Sequence, residues 1–251
     1  QLLEDCGRLP LRDAVATLSG PERWSLHIEA CDWVARLQAV PREAGVEAFG
    51  RRLDATLLAY KADLVIEHGL TARGRATTSA EAEVVRAAFS EIEAAVQEAP
   101  SRLAHRDYQS ANLLVDPAAP AGQRLRMIDL QGAFLAPPEY DLVCLLCDSY
   151  IEIPEETIVS LREAIRPKLP DAPDPDECAR RFDLLTLSRK GKDHARFLYA
   201  ARQRGDTRFL DWVPYTVRLL QRAAQRLAPT HPALASYAEL VHALPESPCA
   251  P

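Results

Sequence analysis

Between Leu103 and Gln131 the chain reads LAHRDYQSANLLVD, then a Pro/Ala-rich loop, then RMIDLQG. No other stretch limits the possible folds as tightly. Leu103-Ala104, Leu113–Val115 and Leu125–Leu130 read as short strands, and the last two flank a turn-rich loop, so they can pair as a hairpin. Pairing would bring the side chains of Asn112 and Asp129 together. Both offer hard oxygen donors, and magnesium takes one or two such protein oxygens, with phosphate and water filling its other positions. Asp107 lies five residues before Asn112 in His-Arg-Asp-x4-Asn. A carboxylate there can orient a hydroxyl group and accept its proton.

That spacing is the one used for phosphoryl transfer by kinase-type enzymes. It predicts a catalytic loop over 105–112 and a metal-bearing strand over 126–131. Asp107 is the expected base, and Asn112 and Asp129 the expected metal ligands. His105 is expected to brace the loop through backbone near the metal-binding Asp. Arg106 is open between substrate contact, brace and solvent. Asp141, heading the apolar run PPEYDLVCLL, is expected to bond the amides of the catalytic loop and fix it. Arg189, Lys190 and Lys192 cluster in SRKGKDHARF; they are either a solvated helix end or a contact for an anionic part of the substrate or a phosphate.

Around this core the pattern is helical. Trp24, Ile28, Cys31, Val34 and Leu37 recur at spacings of three and four after Gly20-Pro21, an amphipathic helix. Phe49–Glu67 reads as a second helix and 69–78 as a polar loop. Thr78-x-x-Glu81 is a capping box opening a third helix that runs to Pro100. Tyr140–Tyr150 is apolar on nearly all sides and should be buried. Pro154 with Glu155 and Glu156 starts another helix. Glu177–Gln203, Pro214–Leu227 and Pro232–Leu244 should be helical as well, and Gln1–Asp5 reads as an edge strand turned by Cys6-Gly7. The sum is α+β: a mostly helical body with a small β insertion where the polar motifs lie.

Composition narrows the function classes. The chain of 251 residues is 47% hydrophobic and carries a net charge of −6, which argues against a nucleic-acid surface. An anionic polyphosphate ligand must then be met locally, by metal or by Arg. No apolar run is long enough for a membrane span and no signal peptide is visible. The six cysteines are scattered, and the single C-x-x-C, Cys144 and Cys147, sits inside an apolar helix without a second pair; two small buried residues are expected there rather than zinc. This usage suits a reducing cytoplasm.

The segments HRDYQSANLLV and MIDLQGAFLAPPEYDLVCLLCDSYI, with LSRKGKDHARFLYAARQRGDTRFL further on, resemble the aminoglycoside phosphotransferase/choline kinase superfamily. Within it they are most similar to the bacterial anomeric sugar kinases of cell-wall recycling, which phosphorylate N-acetylmuramate and N-acetylglucosamine at O1. The resemblance implies a protein-kinase-like fold, ATP and Mg2+ as cofactors, a small-molecule sugar as partner and no nucleic acid or membrane. It makes Gln131 a neighbour of the metal site, and Arg106, Tyr108, Gln109, Arg189 and Lys192 candidates for substrate contact. Gln109 stands where the similar HRDYHS form has His.

The opening QLLEDCG is similar to the family's interlobe hinge, so backbone at Glu4, Asp5 and Cys6 would meet adenine. On that reading residues 1–7 are the hinge and 8–251 the helical C-terminal lobe. The small N-terminal lobe, with its phosphate-covering loop and Lys, is expected to lie upstream in the same parent chain. None of the ten glycines here forms a G-x-G, and the only Met is Met127. The chain alone is therefore expected to be impaired in turnover.

Three competing readings stay open. One is an aminoglycoside or other small-alcohol phosphotransferase. Another is a protein kinase, since Ala136-Pro137-Pro138-Glu139 resembles an A-P-E; but only seven residues separate Asp129 from Pro137, and the metal strand reads Asp-Leu-Gln. The third is a non-catalytic binding module made from the large lobe.

Overall fold

The computed structural model describes residues 7–247. In chain order the elements are α1 (Leu11–Thr17), α2 (Gly20–Gln38), α3 (Ala55–Leu64), α4 (Ser79–Glu98), β1 (Arg102–Ala104), β2 (Leu113–Val115), β3 (Leu125–Met127) and β4 (Phe134–Ala136). Then follow α5 (Tyr140–Leu146), α6 (Glu155–Ile165), α7 (Pro175–Arg204), α8 (Val213–Leu227) and α9 (Pro232–His242). The chain divides into two compact units, one of residues up to Arg52 with Pro100–Cys178, the other of Leu53–Ala99 with the residues after Cys178.

The first unit holds both small sheets. β2 and β3 pair antiparallel with Leu113 opposite Met127 and Val115 opposite Leu125, the expected hairpin. β1 finds its partner in β4, with Leu103 opposite Leu135. Sequence reading assigned neither β4 nor this pairing, because a three-residue apolar run inside a larger apolar stretch has no period of its own. α2 packs on α5, α6 and β1. Its buried face is Leu26, Ala30, Cys31, Val34 and Leu37, whereas Trp24 is 39% exposed and lies off the core. At its start Ser19 N–H donates to Glu22 Oε2 at 2.9 Å, closing one of the helix's orphan donors.

The expected helix over 49–67 begins later. Glu47–Phe49 is a single 3-10 turn, and Arg51 and Arg52 are drawn into extended backbone beside β4, where Leu135 N–H donates to Arg51 O at 2.9 Å. Tertiary pairing overrides the helical pattern there. Asp54 then caps α3, accepting from Leu57 N–H at 2.9 Å.

The second unit is helical among its described residues. α4 opens with its capping box, Thr78 N–H donating to Glu81 Oε2 at 2.9 Å and Glu81 N–H to Thr78 Oγ1 at 3.3 Å. α3 packs on α4, and both α4 and α8 pack on α9. α8 turns Val213, Val217, Leu220, Ala224 and Leu227 inward, the spacing of one apolar stripe. A bidentate pair, Arg226 Nε and Nη2 to the Asp183 carboxylate at 2.8 and 2.7 Å, ties α8 to α7.

Candidate functional site

β1 delivers the chain into the loop 105–112. At Arg106 the backbone turns left-handed, φ 81°, a conformation that costs a non-glycine residue about 1–2 kcal/mol. Asp141, buried in the first turn of α5, is placed to stabilise it. Its Oδ2 accepts from His105 N–H at 2.7 Å and its Oδ1 from Arg106 N–H at 3.2 Å. The Cys144 thiol, one turn further along α5, donates to Arg106 O at 3.4 Å. Asp107 leaves this clamp half-buried. Its carbonyl accepts from Gln109 N–H and from the Asn112 side-chain amide, each at 2.9 Å. With Nδ2 so occupied, Oδ1 is the Asn112 atom a cation would use.

His105 is fully buried, and its Nε2 meets Ile128 O at 2.8 Å. A carbonyl only accepts, so Nε2 is the protonated nitrogen. Burial pushes the imidazole below its ordinary pKa, against the raising influence of that carbonyl and of Asp107 and Asp129, which suits a neutral brace. Ile128 is also tied from the other side, its N–H donating to Asn112 O at 3.1 Å. These two bonds hold the loop 105–112 against the residue preceding Asp129.

The strand expected over 126–131 is shorter. β3 ends at Met127, and Asp129 is left-handed, φ 69° and ψ 37°, at the head of a 3-10 turn over Leu130–Gly132. Asp is among the few residues that enter this region, and the turn exposes its carboxylate. The Gln131 side-chain amide donates to Asp129 Oδ1, and Arg51 Nη1 donates to Gln131 O at 2.9 Å. Ile128 and Leu130 flank Asp129 at 37% and 40% exposure. The hairpin loop is anchored by Glu29 on α2, whose carboxylate accepts from Gly122 N–H at 2.9 Å and from Arg124 Nε at 2.8 Å.

Two expectations need correction. Tyr108 is no candidate for substrate contact: its ring is fully buried and its hydroxyl donates to Ala30 O at 2.8 Å. The resemblance offered it as a contact, but its side chain points into the α2 core. Arg189, Lys190 and Lys192 are not a solvated helix end. They lie mid-helix in α7 of the second unit, with nitrogens 3.3, 2.8 and 2.8 Å from the carboxylate of Asp193. Burial pushes Asp193 up, yet Lys190, Lys192 and Arg189 together hold its carboxyl well below the usual range.

Gln109 is half-buried beside Asp107 and Gln131 is exposed beside Asp129. Arg106 is exposed, its guanidinium 5.9 Å from the Phe134 ring centroid. Glu4, Asp5 and Cys6 lie outside the described residues. Cys144 and Cys147 are buried, and among the described residues no group of three or more His, Cys, Asp or Glu side chains is arranged to hold a metal ion. No all-protein cage is therefore present there, but magnesium needs none when phosphate oxygens complete its shell. One carboxylate and one amide oxygen, Asp129 and Asn112, fit that use. Sequence reading missed the parts played by Asp148, Glu29 and Arg51. Their partners lie 38, 93 and 80 positions away in the chain, and no local pattern marks such contacts.

The profile of the phosphotransferase enzyme family matches residues 3–179. The N-acetylmuramate/N-acetylglucosamine kinase of Pseudomonas aeruginosa is 29% identical over 154 residues, 59% of this chain and 43% of that protein. The protein of the same name from Neisseria meningitidis serogroup B is 30% identical over 57% of this chain and 42% of its own length. The matched stretch is thus less than half of those relatives. Among solved structures, a GDP complex of a mutant aminoglycoside 2'-phosphotransferase-IIIa is 19% identical, with a TM-score of 0.57 over 88% of this chain and 68% of the other. A choline/ethanolamine kinase family protein from Mesorhizobium loti is 16% identical, with a TM-score of 0.56 over 93% of this chain and 70% of the other. These likenesses identify the fold as kinase-like α+β. No helix among the described residues is long and apolar enough to cross a membrane.

Proposed function

Because the chain belongs to the phosphotransferase enzyme family, we propose that it carries the base-and-metal site of an ATP-dependent small-molecule kinase. The acceptor is a sugar hydroxyl, and the preferred one is the anomeric hydroxyl of an N-acetylhexosamine such as N-acetylmuramate or N-acetylglucosamine. The observation that carries this reading is the bonding of one loop to one turn: His105 Nε2–H to Ile128 O and Ile128 N–H to Asn112 O, at 2.8 and 3.1 Å. Through it Asp107, Asn112 and Asp129 share one small region.

In this mechanism Asp107 orients the acceptor hydroxyl toward the γ-phosphate and takes its proton as the new O–P bond forms and the bond to ADP breaks. Asn112 Oδ1 and the Asp129 carboxylate would hold Mg2+, which when bound neutralises charge on the β- and γ-phosphates. The Gln131 amide orients the Asp129 carboxylate. Asp141 acts on the base through the backbone of His105 and Arg106. Arg106 and Gln109 are proposed substrate contacts, and backbone near Glu4, Asp5 and Cys6 a contact for the nucleotide base. The setting is the cytoplasm, where ATP and Mg2+ are at hand.

A panel of N-acetylhexosamines and aminoglycosides with ATP and Mg2+, run on the full-length protein, tests this. Phosphorus NMR of the product should show an anomeric phosphate. Transfer to an aminoglycoside without sugar turnover would replace the acceptor and keep the phosphotransferase. Absence of any transfer would leave a binding module.

A further inference from the structure

Asp148 takes no direct part in the proposed phosphoryl transfer, yet it is among the most deeply placed carboxylates of the first unit, 2% exposed. It lies two residues beyond the end of α5. Its Oδ2 accepts from Ser110 N–H at 2.7 Å and from Ser110 Oγ–H at 2.5 Å, and its Oδ1 from Tyr150 N–H at 3.1 Å. A carboxylate persists at such depth only when donors satisfy it. Ser110, itself fully buried, opens the 3-10 turn Ser110–Asn112 that hands Asn112 to β2.

Asp141 and Asp148 are seven residues apart, with the wholly buried α5 spanning the interval. One holds the backbone of His105 and Arg106, immediately before Asp107; the other holds Ser110, two residues before Asn112. Irregular backbone between two such anchors has little freedom. We propose that Asp148, through Ser110, is a positioning residue for the cation-binding amide of Asn112, while Asp141 positions the base. The division rests on the phosphotransferase reading: it says which of two functions each anchor serves.

The two anchors can then be separated by experiment. In the full-length protein, Ser110→Ala keeps the backbone N–H bond to Asp148 and loses the hydroxyl bond. The concentration of Mg2+ giving half-maximal rate should rise about tenfold, the scale of one lost bond to a charged group. At saturating Mg2+ kcat should return to within about threefold of the parent. Asp148→Asn should move the metal requirement the same way and further. Asp141→Asn should lower kcat with no recovery at high metal.

A second readout needs no turnover. Mn2+ titrated in the presence of a non-hydrolysable ATP analogue and followed by electron paramagnetic resonance should bind about tenfold more weakly to Ser110→Ala, and with parental affinity to Asp141→Asn. Unchanged metal affinity in a folded Ser110→Ala protein, or a rate loss that Mg2+ does not restore, overturns the proposal. Should Asp148→Asn fail to fold, the Ser110→Ala result decides alone. Should the parent bind Mn2+ with nucleotide yet phosphorylate no sugar, the acceptor assignment falls while the role of Asp148 is still measured.

Discussion

The two units use buried charge differently. In the first, Asp141, Asp148 and Glu29 direct their oxygens at backbone amides of loops: His105 and Arg106, Ser110, and Gly122. In the second, Asp183 meets the Arg226 guanidinium, Asp193 is surrounded by Arg189, Lys190 and Lys192, and the Lys61 ammonium donates to Ser188 Oγ at 3.3 Å. Helices satisfy their own amides, so charges there are met by other side chains. Loops do not, and a carboxylate that accepts their N–H groups fixes the backbone itself. A catalytic loop needs that second kind of restraint, since misplacement by about 1 Å can cost ~100-fold in rate.

The largest effect is expected at the turn these restraints present. Asp129→Ala removes the one anionic metal ligand in the proposed site, and Mg2+-dependent turnover should fall by about 10³-fold or more, beyond the scale of a single misplaced group. Calorimetry should show weaker MgATP binding with metal-free ATP binding unchanged. An unaltered metal dependence would reduce Asp129 to a turn residue.

Next in size is a paired test of the comparison itself. Asp141→Asn should lower kcat by about 10–100-fold by loosening the loop. Asp183→Asn, which weakens the bidentate pair with Arg226, should cost about 1.5–3 kcal/mol in denaturant unfolding and leave kcat within a small factor. If the second-unit variant lowered kcat as much as the first, the contrast between loop-fixing and helix-pairing carboxylates would break.

The smallest effect is in pH. Burial holds His194 down to about 4 from an ordinary 6.5, with Arg202 adding to the depression. Between those values the unfolded chain binds a proton that the folded one refuses. Stability should therefore fall as the solution is acidified from about 6.5 to about 4 and level off below, the total being on the order of 3 kcal/mol at most. His194→Gln should flatten that part of the profile; an unchanged slope would show that another group titrates there. Asp193 acts in a lower window. Its depressed carboxyl contributes stability above the ordinary Asp value of 3.8 and loses it as pH falls below.

Much of the first unit's loop-and-hairpin geometry could be read along the chain because its parts are local. His-Arg-Asp-x4-Asn is one loop, and the hairpin partners are separated by a single turn-rich stretch; in the second unit, likewise, Thr78 and Glu81 cap their own helix. What stayed hidden is nonlocal. Nothing near Ser110 announces Asp148, nothing near Gly122 announces Glu29, and β4 is visible only as the partner of β1. The opposite error arose at Tyr108 and Trp24, where the family resemblance suggested a substrate contact and helical spacing suggested a core anchor. The structure reverses both, since which side of a loop or helix faces inward is decided by packing rather than by the residue.

The central claim, that Asp107 is the base of a phosphoryl transfer, is tested most directly by Asp107→Asn in the full-length protein with Mg2+, ATP and the preferred acceptor. Asn keeps the shape and loses the proton-accepting charge. The account predicts kcat at least ~100-fold lower, the scale of a positioned acid–base group, with MgATP affinity and thermal stability near those of the parent. A variant that turns over at nearly the parental rate would contradict it.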